Sequence, residues 1–198
     1  MNSKQRSRRG FLQQLGILSI GSSALLDAQE ATAATQGLGP GPDYDPAEPK
    51  LEFVFQVTLD VAPIIRFGSS GYVNRGFANV VGGKIEGPRL TGRAIPNTGG
   101  DYPYIRNDKV VEFEATYLLE ASDGTPILIR NRGYRHGPES VMSALRARQE
   151  VDPSSYYMRL SPTFEVAEGP HDWLTRHVIV GTGYRENKLV VFRYFVLR

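Results

Sequence analysis

From Leu51 onward, apolar residues recur at every second position, and this alternation constrains the chain more than any other feature. Leu51, Phe53, Phe55, Val57 and Leu59 are interleaved with Glu52, Gln56, Thr58 and Asp60. Val111, Phe113, Ala115, Tyr117 and Leu119 are interleaved with Glu112, Glu114, Thr116 and Glu120. A period of two is that of a strand with one apolar face and one wet face. Further strands are expected over 62–67, 75–81, 89–95, 126–132, 155–165, 176–182 and 188–197. The last run, KLVVFRYFVL, is apolar on both faces except at Arg193, as for a strand covered on both sides.

Turn residues separate these runs: Gly82-Gly83, Glu86-Gly87-Pro88, Asn97-Thr98-Gly99-Gly100, Ser122-Asp123-Gly124 and Glu186-Asn187. Asp123-Gly124 between two strands predicts a type I′ hairpin. One helix is expected to start at Pro138-Glu139-Ser140 and continue through Val141, Met142, Leu145 and Ala147, closed by Asp152-Pro153. A shorter helical turn is expected around His171–Leu174. Many antiparallel strands with one inserted short helix define an all-β chain that closes into a barrel or sandwich, because closure removes exposed edges. A barrel of about 8–10 strands holds one small ligand.

The first fifty residues follow a different pattern. Residues 7–13, Ser-Arg-Arg-Gly-Phe-Leu-Gln, resemble a twin-arginine export signal and lack only its final lysine. The apolar stretch from Leu15 to Leu26 is too short and too diluted by glycine and serine for a stable membrane span. Ala31-Thr32-Ala33 supplies a small-x-small cleavage site. Residues 1–33 are therefore expected to address the chain to the twin-arginine machinery, and hence to the periplasm or the exterior. Residues 34–50, rich in Gly, Pro and Asp, form a linker, and residues 51–198 form one domain.

Composition narrows the chemistry. The absence of cysteine removes disulfides, thiolate nucleophiles and cysteine-ligated metals. A net charge of +2, part of it in the export signal, argues against a nucleic-acid partner. No dinucleotide-binding or phosphate-binding glycine motif is present, and Phe67-Gly68-Ser69-Ser70-Gly71 has the wrong spacing for a nucleophile elbow. The three histidines, His136, His171 and His177, do not pair at metal-ligand spacing, so no metal site and no cofactor are expected. His136, in the polar loop Tyr134-Arg135-His136-Gly137, is the histidine best placed for acid–base work.

Several segments together resemble a family of unknown function, DUF3237, also called UPF0311. They are Gly82-Gly83-Lys84-Ile85-Glu86-Gly87-Pro88 with Leu90 and Gly92, and Pro96 with Gly99-Gly100-Asp101-Tyr102. Tyr117-Leu118, Asp123-Gly124, Ile127, Ile129 and Gly133 follow, then Tyr157-Met158-Arg159 with Pro162-Thr163-Phe164-Glu165, Trp173-Leu174 and Gly181-Thr182-Gly183. The departures are Tyr102 in place of tryptophan, and Met158 and Leu160 within the Tyr-Phe-Arg-Thr element. The resemblance implies a lipocalin-like or allene-oxide-cyclase-like β-barrel, and it supplies no settled activity.

The matched positions contain a polar set that a cupped barrel could gather. Asp101, Arg159, Tyr117 and His136 are the candidate catalytic residues, and Glu86, Arg130, Arg132, Tyr157 and Trp173 the candidate ligand contacts. An arginine aimed into a barrel binds a carboxylate or enolate oxygen, and a neighbouring carboxylate can act as a base. Duller roles stand beside these. Asp101 or Glu86 could cap a turn, Arg159 could bridge outward to Glu165 or Glu112, and Trp173 could plug the barrel. Strand phase alone leaves open whether Tyr157 and Arg159, or Tyr156, Met158 and Leu160, face inward. Three functions fit: a cofactor-independent isomerase or lyase on a small aromatic or hydroxy-acid-like molecule, a carrier barrel without chemistry, or a structural protein. In the third, the last strand, with Phe192, Tyr194 and Phe195, pairs with a neighbour in a homodimer.

Overall fold

The computed structural model describes residues 49–69, 73–186 and 188–198. The expected export signal, and the linker up to residue 48, lie outside the described residues. The strands are β1 (Leu51–Val61), β2 (Ile65–Ser69), β3 (Val73–Glu86), β4 (Gly92–Ala94), β5 (Gly100–Asp101), β6 (Tyr104–Arg106), β7 (Val111–Ala121), β8 (Pro126–His136), β9 (Tyr157–Val166), β10 (Ile179–Glu186) and β11 (Leu189–Leu197). Helix α1 (Glu139–Arg146) lies between β8 and β9.

All pairings are antiparallel, and they close on themselves. The order runs β1, β11, β10, β9, β8, β7, then the short segments β4, β5 and β6 acting as one wall position, then β3, which returns to β1. This is an eight-position closed barrel, with β2 folded back on the outer end of β3. Strand β11 pairs on one side with β1 and on the other with β10. It therefore has no free edge to offer a second copy, which removes the physical basis for a homodimer formed by strand pairing. Phe192 and Tyr194 are buried inside the barrel.

Three local expectations are corrected. Gly82-Gly83 does not reverse the chain; β3 runs through it, with a bulge where Asp60 pairs with Gly82 but Val61 pairs with Val80. The bulge bends β3 so that one half pairs with β1 and the other with β2 and β6. The β7–β8 hairpin is not type I′. Gly124 has a φ of +88°, but Asp123 is not left-handed, and Gly124 N–H donates to the Ala121 carbonyl while Thr125 N–H donates to Asp123 Oδ1. This is a right-handed turn followed by a single left-handed glycine, the other common hairpin solution. Helix α1 stops at Arg146, well before Asp152-Pro153, because the turn tightens at Ala147 and Arg148 enters the left-handed region at φ +58°. The helical turn expected near His171 is a short 3-10 segment, Asp172–Thr175.

The register sets one parity around the wall. Ala115 pairs with Asn131 and Asn131 with Pro162; Phe113 pairs with Gly133 and Gly133 with Leu160; Leu160 pairs with Gly181 and Gly181 with Tyr194. Directly opposed residues share a face, so these side chains all point inward. One end of the barrel is solid. Phe55 lies against Tyr194 at 4.8 Å, Phe164 at 6.2 Å and Trp173 at 6.4 Å between ring centroids. The guanidinium of Arg89 covers Trp173 at 4.0 Å, so Trp173 plugs this end. The other end is hollow.

Candidate functional site

The hollow end encloses a cavity of about 300 Å³. Its apolar walls include Leu59, Val80, Phe113, Met158, Val190 and Phe192, and α1 lies over it through the buried residues Met142 and Leu145. Six cationic side chains line it (Arg66, Lys109, Arg135, Arg146, Arg148 and Arg185) together with one carboxylate, Asp101. Among the described residues, no three His, Asp or Glu side chains gather closely enough to hold a metal ion.

Asp101 does not sit in a turn. It belongs to β5, a two-residue strand wedged between Ala78 of β3 and Ala115 of β7. Because Ala115 faces the interior, so does Asp101. Its Oδ1 accepts a hydrogen bond from Glu114 N–H at 3.0 Å. Burial pushes its carboxyl up to about 6, although the Glu114 hydrogen bond and the positive charge of Arg135 pull the other way. A carboxyl poised there exchanges its proton readily near neutral pH.

Arg135 and Arg185 reach the same interior from β8 and β10. Arg135 pairs with inward-facing Val111, and Arg185 pairs with inward-facing Val190. Burial, reinforced by the like charge of Arg185, pushes the guanidinium of Arg135 down to about 10. Burial also lowers that of Arg185, with the charge of Arg148 adding to it. Arg185 N–H donates to Tyr156 Oη at 2.9 Å, which ties β10 to the start of β9. Sequence reasoning missed both arginines. The signal was present, since extending the alternation of Ile127 and Ile129 to Gly133 brings Arg135 inward, but β8 was expected to end at 132.

Tyr117 also lines the cavity and is fully buried. Burial raises its phenol above the ordinary value, so it remains protonated and able to donate. Its Oη has no partner in hydrogen-bonding geometry among the described residues. Beside it, buried Asn131 donates to Tyr194 Oη at 3.0 Å. Asp101 and Tyr117 are thus the two of the nine candidate residues that the fold brings to the cavity.

The other candidates lie elsewhere, and for most of them the reason is strand parity. Arg130, Arg132 and His136 alternate with the inward residues of β8, and Tyr157 and Arg159 with those of β9. All five are exposed. Arg130 pairs with Glu165, Arg132 lies 3.8 Å from Glu114, and His136 stacks on Tyr157 at 4.8 Å. Arg159 bridges neither Glu165 nor Glu112; it donates to the Met158 carbonyl at 2.9 Å and lies over the Tyr157 ring at 5.1 Å. Glu86 is exposed beside Lys84 at 2.6 Å, at the end of β3 far along the strand from Ala78. Trp173 is buried in the solid end, away from the cavity lining. Arg159→Ala should therefore leave ligand binding unchanged and alter stability by no more than about 0.5 kcal/mol, as urea denaturation would show. A larger change would place Arg159 in the structural or binding machinery.

These features define a closed antiparallel barrel with one packed end and one charged, hollow end. The chain belongs to the family described as "Protein of unknown function (DUF3237)", whose model matches residues 49–197. It is 32% identical over 145 residues to a UPF0311 protein of Rhodopseudomonas palustris strain TIE-1, spanning 72% of this chain and 94% of that one. The crystal structure of a conserved protein of unknown function from Rhodopseudomonas palustris superimposes with a TM-score of 0.74 at 28% identity, covering 77% of this chain and 99% of the other. The hydroalkoxylation enzyme phnH of Penicillium herquei is 33% identical over 85 residues, spanning 42% of this chain and 55% of that one.

Proposed function

We propose that the barrel is a cofactor-independent acid–base enzyme that moves a proton on a small, partly apolar molecule, with Asp101 as the acid–base group and Tyr117 as a hydrogen-bond donor. The observation that carries this reading is a single carboxyl, poised near 6, inside an otherwise apolar and cationic cavity. The partial similarity to a hydroalkoxylation enzyme supports addition–elimination across a double bond as the reaction class. In that chemistry protonated Asp101 gives its proton to one alkene carbon, and a hydroxyl oxygen of the substrate bonds to the other. The hydroxyl proton then returns to the Asp101 carboxylate. One C=C π bond and one O–H bond are exchanged for one C–O and one C–H bond, with no change in oxidation state.

We further propose that the protein works outside the cytoplasm. Ser7-Arg8-Arg9-Gly10-Phe11-Leu12 followed by Ala31-Thr32-Ala33 supports export in the folded state. A variant with both Arg8 and Arg9 changed to lysine should remain in the cytoplasm on cell fractionation; export at the normal level would remove this part of the reading.

The catalytic reading is tested by incubating the purified protein with 3-allyl-4-hydroxybenzoate in heavy water and following the mixture by NMR. The expected product is the dihydrobenzofuran isomer carrying one deuterium, formed by the native protein and not by Asp101→Asn. Binding of the probe in stoichiometric amount without any product would favour a carrier instead.

A further inference from the structure

Two arginines at the cavity, Arg135 and Arg185, differ from the ion-paired arginines of the barrel, whereas Arg146, also at the cavity, pairs with Glu139. On the outer surface Arg93, Arg106, Arg130, Arg176 and Arg198 each sit within ion-pair distance of a carboxylate. Inside, Arg135 and Arg185 have no carboxylate within 4.0 Å among the described residues. Nε of Arg135, and Nε and Nη1 of Arg185, are buried and donate to nothing. Two guanidinium groups of like charge that repel each other and leave three donors unused make a poor structural device. A bound anion would offset that repulsion.

We propose that Arg135 and Arg185 form a carboxylate-binding subsite, so that the barrel takes small carboxylic acids whose apolar body lies against Phe113, Met158 and Phe192. The proposal rests on the reading of the cavity as a small-molecule site and names the class of molecule. Planar guanidinium forks match a planar carboxylate through paired N–H donors. The apolar walls suit a hydrocarbon or aromatic body, and a volume of about 300 Å³ limits its size. Lys109 and Arg148, which also line the cavity, add positive potential that draws an anion inward.

The subsite also predicts a proton linkage. Arg135 of β8 supplies the positive charge that acts on Asp101, Arg185 of β10 acts in turn on Arg135, Tyr117 of β7 lies near the Asp101 carboxyl, and Glu114 contributes a backbone N–H and a negative charge. A carboxylate seated on the arginines disfavours ionised Asp101 and raises its pKa above 6. The complex then holds an extra proton, so affinity falls as pH rises through the window just above 6.

The experiment is calorimetric titration of the purified full chain with trans-cinnamate and with its uncharged isostere cinnamamide. At pH 7.5 cinnamate should bind at least about tenfold more tightly, and Arg135→Gln or Arg185→Gln should each remove that preference while leaving cinnamamide affinity within about twofold. Arg185→Lys, which keeps the charge, should retain part of the preference and guards against misfolding of a single variant. Between pH 6 and pH 8 cinnamate affinity should fall in the native protein and stay level in Asp101→Asn. Equal affinity for the two probes, or no detectable binding of cinnamate at millimolar concentration, would overturn the proposal. Displacement of cinnamate by inorganic phosphate at equal or lower concentration would overturn the choice of carboxylate. None of these outcomes depends on product formation, so failure of the subsite and failure of the catalytic reading are read separately.

Discussion

Asp101→Asn is expected to abolish turnover and, at pH 8, to raise the melting temperature. The two effects share one cause. Ionised Asp101 sits in a cavity that disfavours its charge, and its carboxyl is raised to about 6 from an ordinary value of 3.8. A carboxyl whose folded pKa is raised binds its proton more tightly in the folded state. Its stabilising contribution is therefore fully present below pH 4, shrinks as pH rises from about 4 to about 6, and is absent above that. The difference corresponds to about 3 kcal/mol across the window. Asparagine keeps an oxygen for the Glu114 N–H and has no charge to bury. The variant should gain several degrees at pH 8, roughly 2–4 °C per kcal/mol for a domain of this size, and should lose the native decline between pH 4 and pH 6. Thermal melts at several pH values check this. A lower melting temperature for Asp101→Asn at pH 8 would mean that the ionised carboxylate holds the barrel together, and the catalytic reading would lose its physical basis. A group that costs stability and is needed for turnover is what a functional site, as opposed to a structural ion pair, predicts.

Gly99→Ala should be the most damaging single-methyl change near the site. Gly99 has a φ of +155°, and a Cβ there would lie 2.0 Å from the Thr116 carbonyl oxygen of β7. The obstacle is backbone in a strand already hydrogen-bonded on both sides, so neither partner can yield cheaply. The 96–99 turn is tied down by Val80 N–H donating to the Gly99 carbonyl at 3.0 Å and by Asn97 N–H donating to the Val80 carbonyl at 2.9 Å. Pushing this turn away from β7 moves Gly100 and Asp101 with it. The expected cost is about 3 kcal/mol or more, a large share of the stability of a small domain, and any surviving folded protein should also lose the raised pKa of Asp101. Urea denaturation and a carboxyl titration by NMR measure the two effects. A loss below about 1 kcal/mol would show that the turn can shift independently of β7.

The barrel was legible in the residues because alternation over β1 and β7 is strong and local. Strands β1, β7, β9 and β11 were anticipated to within two residues, as was a helix between β8 and β9, whereas β3, β8 and β10 run four or five residues past their expected ends. The short segments β5 and β6 were not. Gly100-Asp101 and Tyr104–Arg106 carry no periodic signal of their own, and they are strands only because β3 and β7 lie on either side to receive their hydrogen bonds. That gap explains why Asp101 could be singled out as a carboxylate of interest while its surroundings could not. It also explains Arg159. Within an isolated stretch Tyr156–Ser161, two phases are equally acceptable, and pairing of Gly133 with Leu160 and of Arg135 with Met158 selects the one that sends Arg159 outward.

The amino-acid sequence alone determined that the chain forms an all-β domain without cysteine chemistry, because hydrophobic period and residue type act over neighbouring positions. Tertiary structure decided which ionisable groups meet. A one-residue change of phase moves a side chain from the cavity to the solvent, and phase is set by hydrogen bonds to strands far away in the chain. Asp101, Arg135 and Arg185 come from three separate strands and share one cavity because the barrel closes. The energy that makes them unusual, charge held away from water beside unlike and like charge, exists only after that closure.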